Sequence, residues 1–356
     1  MEKIRVAIAG LGNCASALIQ GVEYYRGQKE GEIPGLMHVN FGGYYVDDIE
    51  FVAAFEVNRL KIGRDISEAI WAKPNCCAKF SDVPHFGVKV QPGPISDGVA
   101  LHMMEPFEVD QNIRPVDVAE ALREAEADML VNYLPVGSTE ATRLYAKAAI
   151  EAHCALINCI PEFIASSGDW GKRFEEAGLP IAGDDIKSQV GATIVHRVLA
   201  ELYQNRGVHI TSTYQLNLGG NTDFLNMSVE DRLHTKRISK TEAVKSLIAY
   251  DVPTRIGPSD YVPFLGDKKI CYIRINGKAF GNLPLTLDAK LAVEDSPNSG
   301  GVVIDVIRAV KLALDRGLKG PLVSISSYAF KHPPQQVSDD IAKIWVEEFI
   351  EGKRKR

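Results

Sequence analysis

The chain has 356 residues, enough for two cores, and 46% hydrophobic with 24% charged residues is the composition of an ordinary globular protein. A net charge of −6 excludes a general nucleic-acid binder, so an anionic ligand has to be held by local lysines. No apolar run is long enough to span a membrane, no signal segment is read before the first strand, and the six cysteines form no C-x-x-C framework, so a cytoplasmic protein is expected.

Residues 4–21, IRVAIAGLGNCASALIQG, predict a buried strand, a tight turn and a helix from about Asn13. Gly10 and Gly12 let backbone N–H groups approach a pyrophosphate, and the positive end of the helix points at that anion. Ala15 stands where the third glycine of a G-x-G-x-x-G fingerprint would be, and it is still small enough for close helix–strand packing. The motif predicts a bound dinucleotide; any tight strand–helix turn is the plain alternative. After a polar, glycine-rich insertion at 22–48, the strand Phe51–Phe55 ends in Glu56. A carboxylate there hydrogen-bonds the adenosine ribose and disfavours a 2′-phosphate, which favours NAD over NADP.

Two further strand–helix units follow. Residues 127–133 predict a strand that leads into Leu134-Pro135-Val136-Gly137-Ser138, with Ser138 capping the next helix, and 155–159 predict another strand. Residues 181–188, IAGDDIKS, end a strand in Asp184, Asp185, Lys187 and Ser188 and open a helix from Gln189 to Gln204 that contains Thr193. Ser188 reads either as an anion or cofactor ligand or as a simple N-cap.

Beyond Tyr203 the pattern changes to strands at 208–218, 270–275 and 285–293, with the alternation of an antiparallel sheet that has one more exposed face. That face could pack on another subunit. A long amphipathic helix from Gly301 and a strand at Leu322–Ser326 return to the earlier style. The fold class read from this order is α/β: a Rossmann-type doubly wound parallel sheet formed by residues 1–203 and 300–356. Residues 204–299 would form an inserted α+β domain with a mostly antiparallel sheet.

Polar and charged residues recur at the ends of these strands, where open α/β sheets gather ligands. Asn217 and Asp223 lie in a glycine turn, Lys268 and Lys269 follow Gly266-Asp267, Asp295 closes a strand, and Lys331 is expected just after the last one. Lys236 and Lys240, four apart, could project from one helical face, but Ser239 and Glu242 suggest a capping box, with Lys236 just before that helix. Held together, two ammonium groups favour the neutral form of one, which can then act as a base; otherwise they are solvated surface lysines. Asp185 or Asp223 could supply oxygen ligands to a divalent cation, although no spacing demands it.

Jointly, Gly-x-Gly-Asn at 10–13, Leu-Pro-Val-Gly-Ser at 134–138, Gly-Asp-Asp-Ile-Lys-Ser at 183–188 and Glu-Asp-Ser at 294–296 resemble the shorter bacterial and archaeal type of myo-inositol-1-phosphate synthase. The likeness extends from Ile4 to about Pro334. It implies a homotetramer that converts glucose 6-phosphate to inositol 3-phosphate with NAD retained: oxidation at carbon 5, enolisation, aldol closure onto carbon 1 and re-reduction. By the same resemblance, Lys236, Lys240, Lys269, Lys331 and Asp295 are catalytic, and Asn217, Asp223 and Lys268 hold the substrate. Gly10, Gly12, Asn13, Cys14, Glu56, Leu134, Pro135, Gly137, Ser138, Asp185, Ser188 and Thr193 surround NAD, and a divalent metal or ammonium ion is a further possible cofactor. Cys14 replaces the second of two asparagines found in the longer eukaryotic sequences. Two other functions remain open to the sequence: an NAD-dependent dehydrogenase of a sugar phosphate or hydroxy acid that releases NADH, and a non-catalytic NAD sensor.

Overall fold

A computed structural model describes residues 2–228, 243, 246 and 250–356. Among the described residues a seven-stranded sheet runs in the order β11-β6-β5-β4-β1-β2-β3, with every pair parallel. Its strands are β1 (Ile4–Ala9), β2 (Ile49–Glu56), β3 (Gln91–Pro92), β4 (Met129–Asn132), β5 (Ala155–Asn158), β6 (Pro180–Gly183) and β11 (Gly320–Pro321). The central strands are apolar on both faces because helices cover both faces. These helices are α1 (Asn13–Tyr25), α2 (Ile66–Ala69), α3 (Val118–Glu124), α4 (Thr139–Glu151), α5 (Gly168–Glu176), α8 (Pro297–Asp315), α9 (Val323–Ala329) and α10 (Asp339–Ile350). The strand order reverses between β1 and β4, and a crevice opens there beyond the carboxyl ends of the strands.

Helix α6 (Ala192–Asn205) leads to the second sheet, whose order is β10-β9-β7-β8. Strands β7 (His209–Gly219), β9 (Lys268–Lys278) and β10 (Pro284–Glu294) pair antiparallel, and β8 (Thr254–Tyr261) joins β7 in parallel. Ile273 and Ile275 of β9, with Leu287, Ala289 and Leu291 of β10, pack toward α6. Asp288 and Lys290 on the alternate face of β10 are exposed. Strand β8 is not legible in the sequence because Gly257 and Pro258 interrupt it; Pro258 has no N–H to donate, a loss that an edge strand tolerates.

Four local expectations need correction. Helix α8 is buried on all sides from Ser299 to Ala313, not amphipathic, because part of the 22–48 insertion covers its outer face. There the Arg308 guanidinium donates to the carbonyls of His38 (2.8 Å) and Val39 (3.1 Å). Only Gly320 and Pro321 form a strand near 322–326, and Leu322, Ile325, Ser326 and Ala329 are buried at helical spacing along α9. Helix α6 starts at Ala192 with Gly191 at its N-cap, three residues after Ser188. Finally, Ser138 does not cap α4 through its side chain: its Oγ turns back to the carbonyls of Gly98 and Pro135. The Asp97 carboxylate instead accepts from the N–H groups of Glu140 and Ala141, both at 2.8 Å.

Candidate active site

One cavity lies between the parallel sheet and the second sheet, and most residues singled out in the sequence line it. The glycine turn forms its floor. Gly10 adopts φ +88°, and a Cβ there would stand 2.7 Å from the Tyr133 carbonyl, so no other residue fits the close approach to β4. Gly12 has no atom within 4 Å of a Cβ position, which leaves its backbone open to a ligand.

Leu11, between the two glycines, is clamped from both sides. Its N–H donates to Glu56 Oε2 (2.8 Å), and its carbonyl accepts from Lys61 Nζ (2.8 Å) and Asn75 Nδ2 (3.1 Å). Lys61 also lies 3.6 Å from Glu56, and burial lowers its affinity for a proton despite that carboxylate. Lys61 and Asn75 do not stand out in the sequence, because a lone lysine in a polar stretch carries no mark of burial. Asn13 Oδ1 accepts from the N–H groups of Cys76 (2.7 Å) and Cys77 (3.2 Å), fixing a loop beside the helix N-terminus.

Across the cavity two lysine–carboxylate pairs face the same space. Lys269 Nζ lies 3.0 Å from Asp295 Oδ1, and Lys331 Nζ lies 2.7 Å from Asp185 Oδ1. Burial works against the Lys269 ammonium, but attraction to Asp295, with help from Asp223, outweighs it and raises its pKa above the usual lysine value. Its ammonium also stands 5.6 Å from the centre of the Phe224 ring. Asp267, two residues before Lys269, accepts from Ser296 Oγ (2.8 Å) and Asn221 Nδ2 (3.1 Å), and burial raises its carboxyl to about 6. The Cys14 thiol is pushed up to about 12, first by burial and then by Asp267, Asp295 and Asp223, so it stays protonated.

Lys331 reaches the site by a route the sequence did not indicate. It follows helix α9, not a strand. The backbone around it pairs with 184–187 through Lys331 N–H to Asp185 O (2.7 Å), His332 N–H to Asp184 O (3.0 Å) and Lys187 N–H to Ala329 O (2.8 Å). Beneath this pairing, buried Lys187 donates to Asp339 at 2.8 Å; burial lowers it to about 8, with Asp339 opposing.

The other wall comes from β7 and the short helix α7 (Thr222–Asn226). Asn221 caps α7, its Oδ1 accepting from the N–H of Asp223 at 3.1 Å and of Phe224 at 3.3 Å. At Gly220 a Cβ would collide with Gly266 N (2.5 Å) and Val262 O (2.6 Å). Asn217 and Asp223 line the cavity as expected, and so do Asp185, Ser188, Thr193, Leu134 and Pro135.

Three sequence-predicted residues do not. Lys268 is exposed, because adjacent residues of β9 point to opposite sides and Lys269 takes the inner one. Gly137 and Ser138 are absent from the lining; Ser138 is buried against Gly98 while Val136 faces the space instead. Lys236 and Lys240 lie outside the described residues. Among the described residues no three His, Cys, Asp or Glu side chains are grouped to hold a metal ion.

Comparison with known proteins decides the family. The family model for myo-inositol-1-phosphate synthase matches residues 191–296. The inositol-3-phosphate synthases of Mycolicibacterium smegmatis and Corynebacterium glutamicum are each 54% identical to this chain, with 98% of both sequences covered in each case. This chain belongs to the myo-inositol-1-phosphate synthase family. A solved myo-inositol-1-phosphate synthase-related protein from Thermotoga maritima superposes with a TM-score of 0.81 at 26% identity, covering 98% of this chain and 99% of that one. That superposition extends the likeness to the whole described fold. Among the described residues no helix is long and apolar enough to cross a membrane.

Proposed function

We propose that this protein is an inositol-3-phosphate synthase that cyclises glucose 6-phosphate with no net redox change, holding NAD throughout. The observation that carries this reading is the convergence on one cavity of a dinucleotide turn, Glu56, and the pairs Lys269–Asp295 and Lys331–Asp185. The cavity residues fit NAD: the open backbone at Gly12 suits a pyrophosphate, and Glu56 retains lone pairs for the adenosine ribose hydroxyls. When bound, NAD supplies reversible oxidation of a secondary alcohol.

The chain's own residues would do the remaining work. Lys269 and Lys331, largely screened from bulk water, stabilise negative charge as it forms on the sugar oxygens. Asp295 and Asp185 orient these ammonium groups and balance their charge before substrate arrives. Asn217 and Asp223 bind sugar hydroxyls. The phosphate and a proton-transferring base fall to Lys236 and Lys240, an assignment supported by sequence motif alone. Asp185 or Asp223 could share a divalent or ammonium ion near the phosphate. Six free cysteines support a reducing, cytoplasmic setting, and the exposed alternate face of β10 supports assembly, with a homotetramer as the proposed form.

Incubation with NAD and glucose 6-phosphate, followed by phosphorus NMR, tests the function. One new phosphomonoester with no accumulation of NADH is expected. Stoichiometric NADH would favour a dehydrogenase instead, and tight NAD binding without any sugar phosphate turnover would favour a sensor.

A further inference from the structure

Asn226 ends helix α7 on the second-sheet side of the cavity, yet its side chain reaches the parallel sheet. It is 1% exposed, and its Nδ2 donates to the carbonyl of Val136 at 3.0 Å, in the turn after β4. The orientation of the amide is fixed by that partner, because the opposite flip would set two oxygens against each other. The other atom, Oδ1, is therefore an acceptor shut off from water, with no donor in hydrogen-bond reach among the described residues. A buried acceptor left unmade is costly, and Asn226 lines the cavity, so a ligand hydroxyl or N–H is the missing partner.

Its place in the strand order says which ligand group that is. The glycine turn follows β1 at the centre. Glu56 follows β2 on one side, and Val136 follows β4 on the other. A dinucleotide whose pyrophosphate lies on the central turn and whose adenosine ribose lies at Glu56 carries its second ribose toward β4. We propose that Asn226 Oδ1 accepts a hydrogen bond from a hydroxyl of the nicotinamide-side ribose, while Nδ2 keeps hold of Val136. One side chain thus joins the two walls of the cavity to the cofactor, a contact suited to an enzyme that must not release NADH in mid-reaction. The inference rests on the proposed NAD dependence.

The test is direct binding to the purified full-length protein, by calorimetry, of NAD, ADP-ribose and ADP, which has no second ribose. Asn226→Leu should weaken NAD and ADP-ribose about three- to tenfold and leave ADP unchanged. An equal loss for all three ligands would reduce Asn226 to a brace for the Val136 turn, and no loss for any would remove it from the site; either result overturns the proposal. Asn226→Ala, measured in the same way, covers the case in which the leucine variant does not fold. Wild-type protein that binds none of the three would instead refute the NAD reading beneath it.

Discussion

The two lysine–carboxylate pairs look alike but are built differently. Lys269 lies on β9 and Asp295 immediately follows β10, whose Glu294 pairs with Lys268 in the β9–β10 ladder, so regular register sets their contact. Lys331 and Asp185 are 146 positions apart and meet only because 329–332 runs alongside 184–187, held underneath by Lys187 and Asp339. The first pair is local to a sheet; the second depends on the chain's C-terminal helix docking correctly. Substitutions should therefore separate chemistry from scaffolding at the second pair, but not at the first.

The largest effect is expected where the ammonium groups themselves are removed. Lys269→Met and Lys331→Met should each lower turnover by about 10³-fold while NAD titration remains near wild type. Turnover near wild type in either variant would remove that lysine from the chemistry. Next come the partners. Asp185→Asn and Asp295→Asn should each cost on the order of 10²-fold in turnover through misplaced ammonium groups. Asp295→Asn should also move the alkaline limb of the pH–rate profile to lower pH, because that carboxylate is what raises the Lys269 pKa.

Asp339→Asn sharpens the contrast further, since Asp339 touches neither pair. It accepts from buried Lys187 and from Arg197 Nε at 2.7 Å, and its loss strands two buried cations. The expected cost is about 3 kcal/mol, seen as a lower thermal midpoint, with turnover falling through Lys331 more than NAD affinity does. The pKa of Asp339 is lowered in the fold: burial works against its charge, but Lys187 and Arg197 outweigh it. Its stabilisation is therefore full above the ordinary aspartate pKa and disappears as pH falls through that value and below it.

The smallest effect is expected at His38, which does not line the cavity. Burial disfavours the charged form of His38, but hydrogen bonds and attraction to Asp305 and Glu347 prevail and raise its pKa above the usual 6.5. His38 thus stabilises the fold most fully below pH 6.5, and the gain is lost as pH rises through its elevated folded value. His38→Gln should flatten that part of the stability–pH curve, measured by urea unfolding, and leave turnover unchanged.

Much of this could be read from the residues in advance, for a physical reason. Gly10, Gly12 and Glu56 act through one strand and the turn or strand end beside it, so their spacing carries the message, and strands buried on both faces appear as apolar runs. Lys269 and Asp295 were readable because charged residues at strand ends stand out. Lys61, Asn75 and Asn226 were not, because nothing in their neighbourhood marks them as buried; only the folded chain brings Leu11 or Val136 beside them. Lys268 was misread because the sequence shows two lysines but not which one the pleat turns inward. Ser138 was misread because a rival cap, Asp97, comes from more than 40 positions upstream.

The covering of helix α8 by the 22–48 insertion has a consequence for how the chain comes together. Arg308 bonds a carbonyl 270 positions earlier, and Phe41, Tyr44 and Val46 share a core with Val306, Ile307 and Val310. Segments emerging first from the ribosome must therefore wait for some of the last before their apolar side chains are sheltered. Assembly of this kind is governed by distant pairings and is slow. A truncated chain that stops short of residue 297 would leave that early stretch bare, open to proteases and to aggregation.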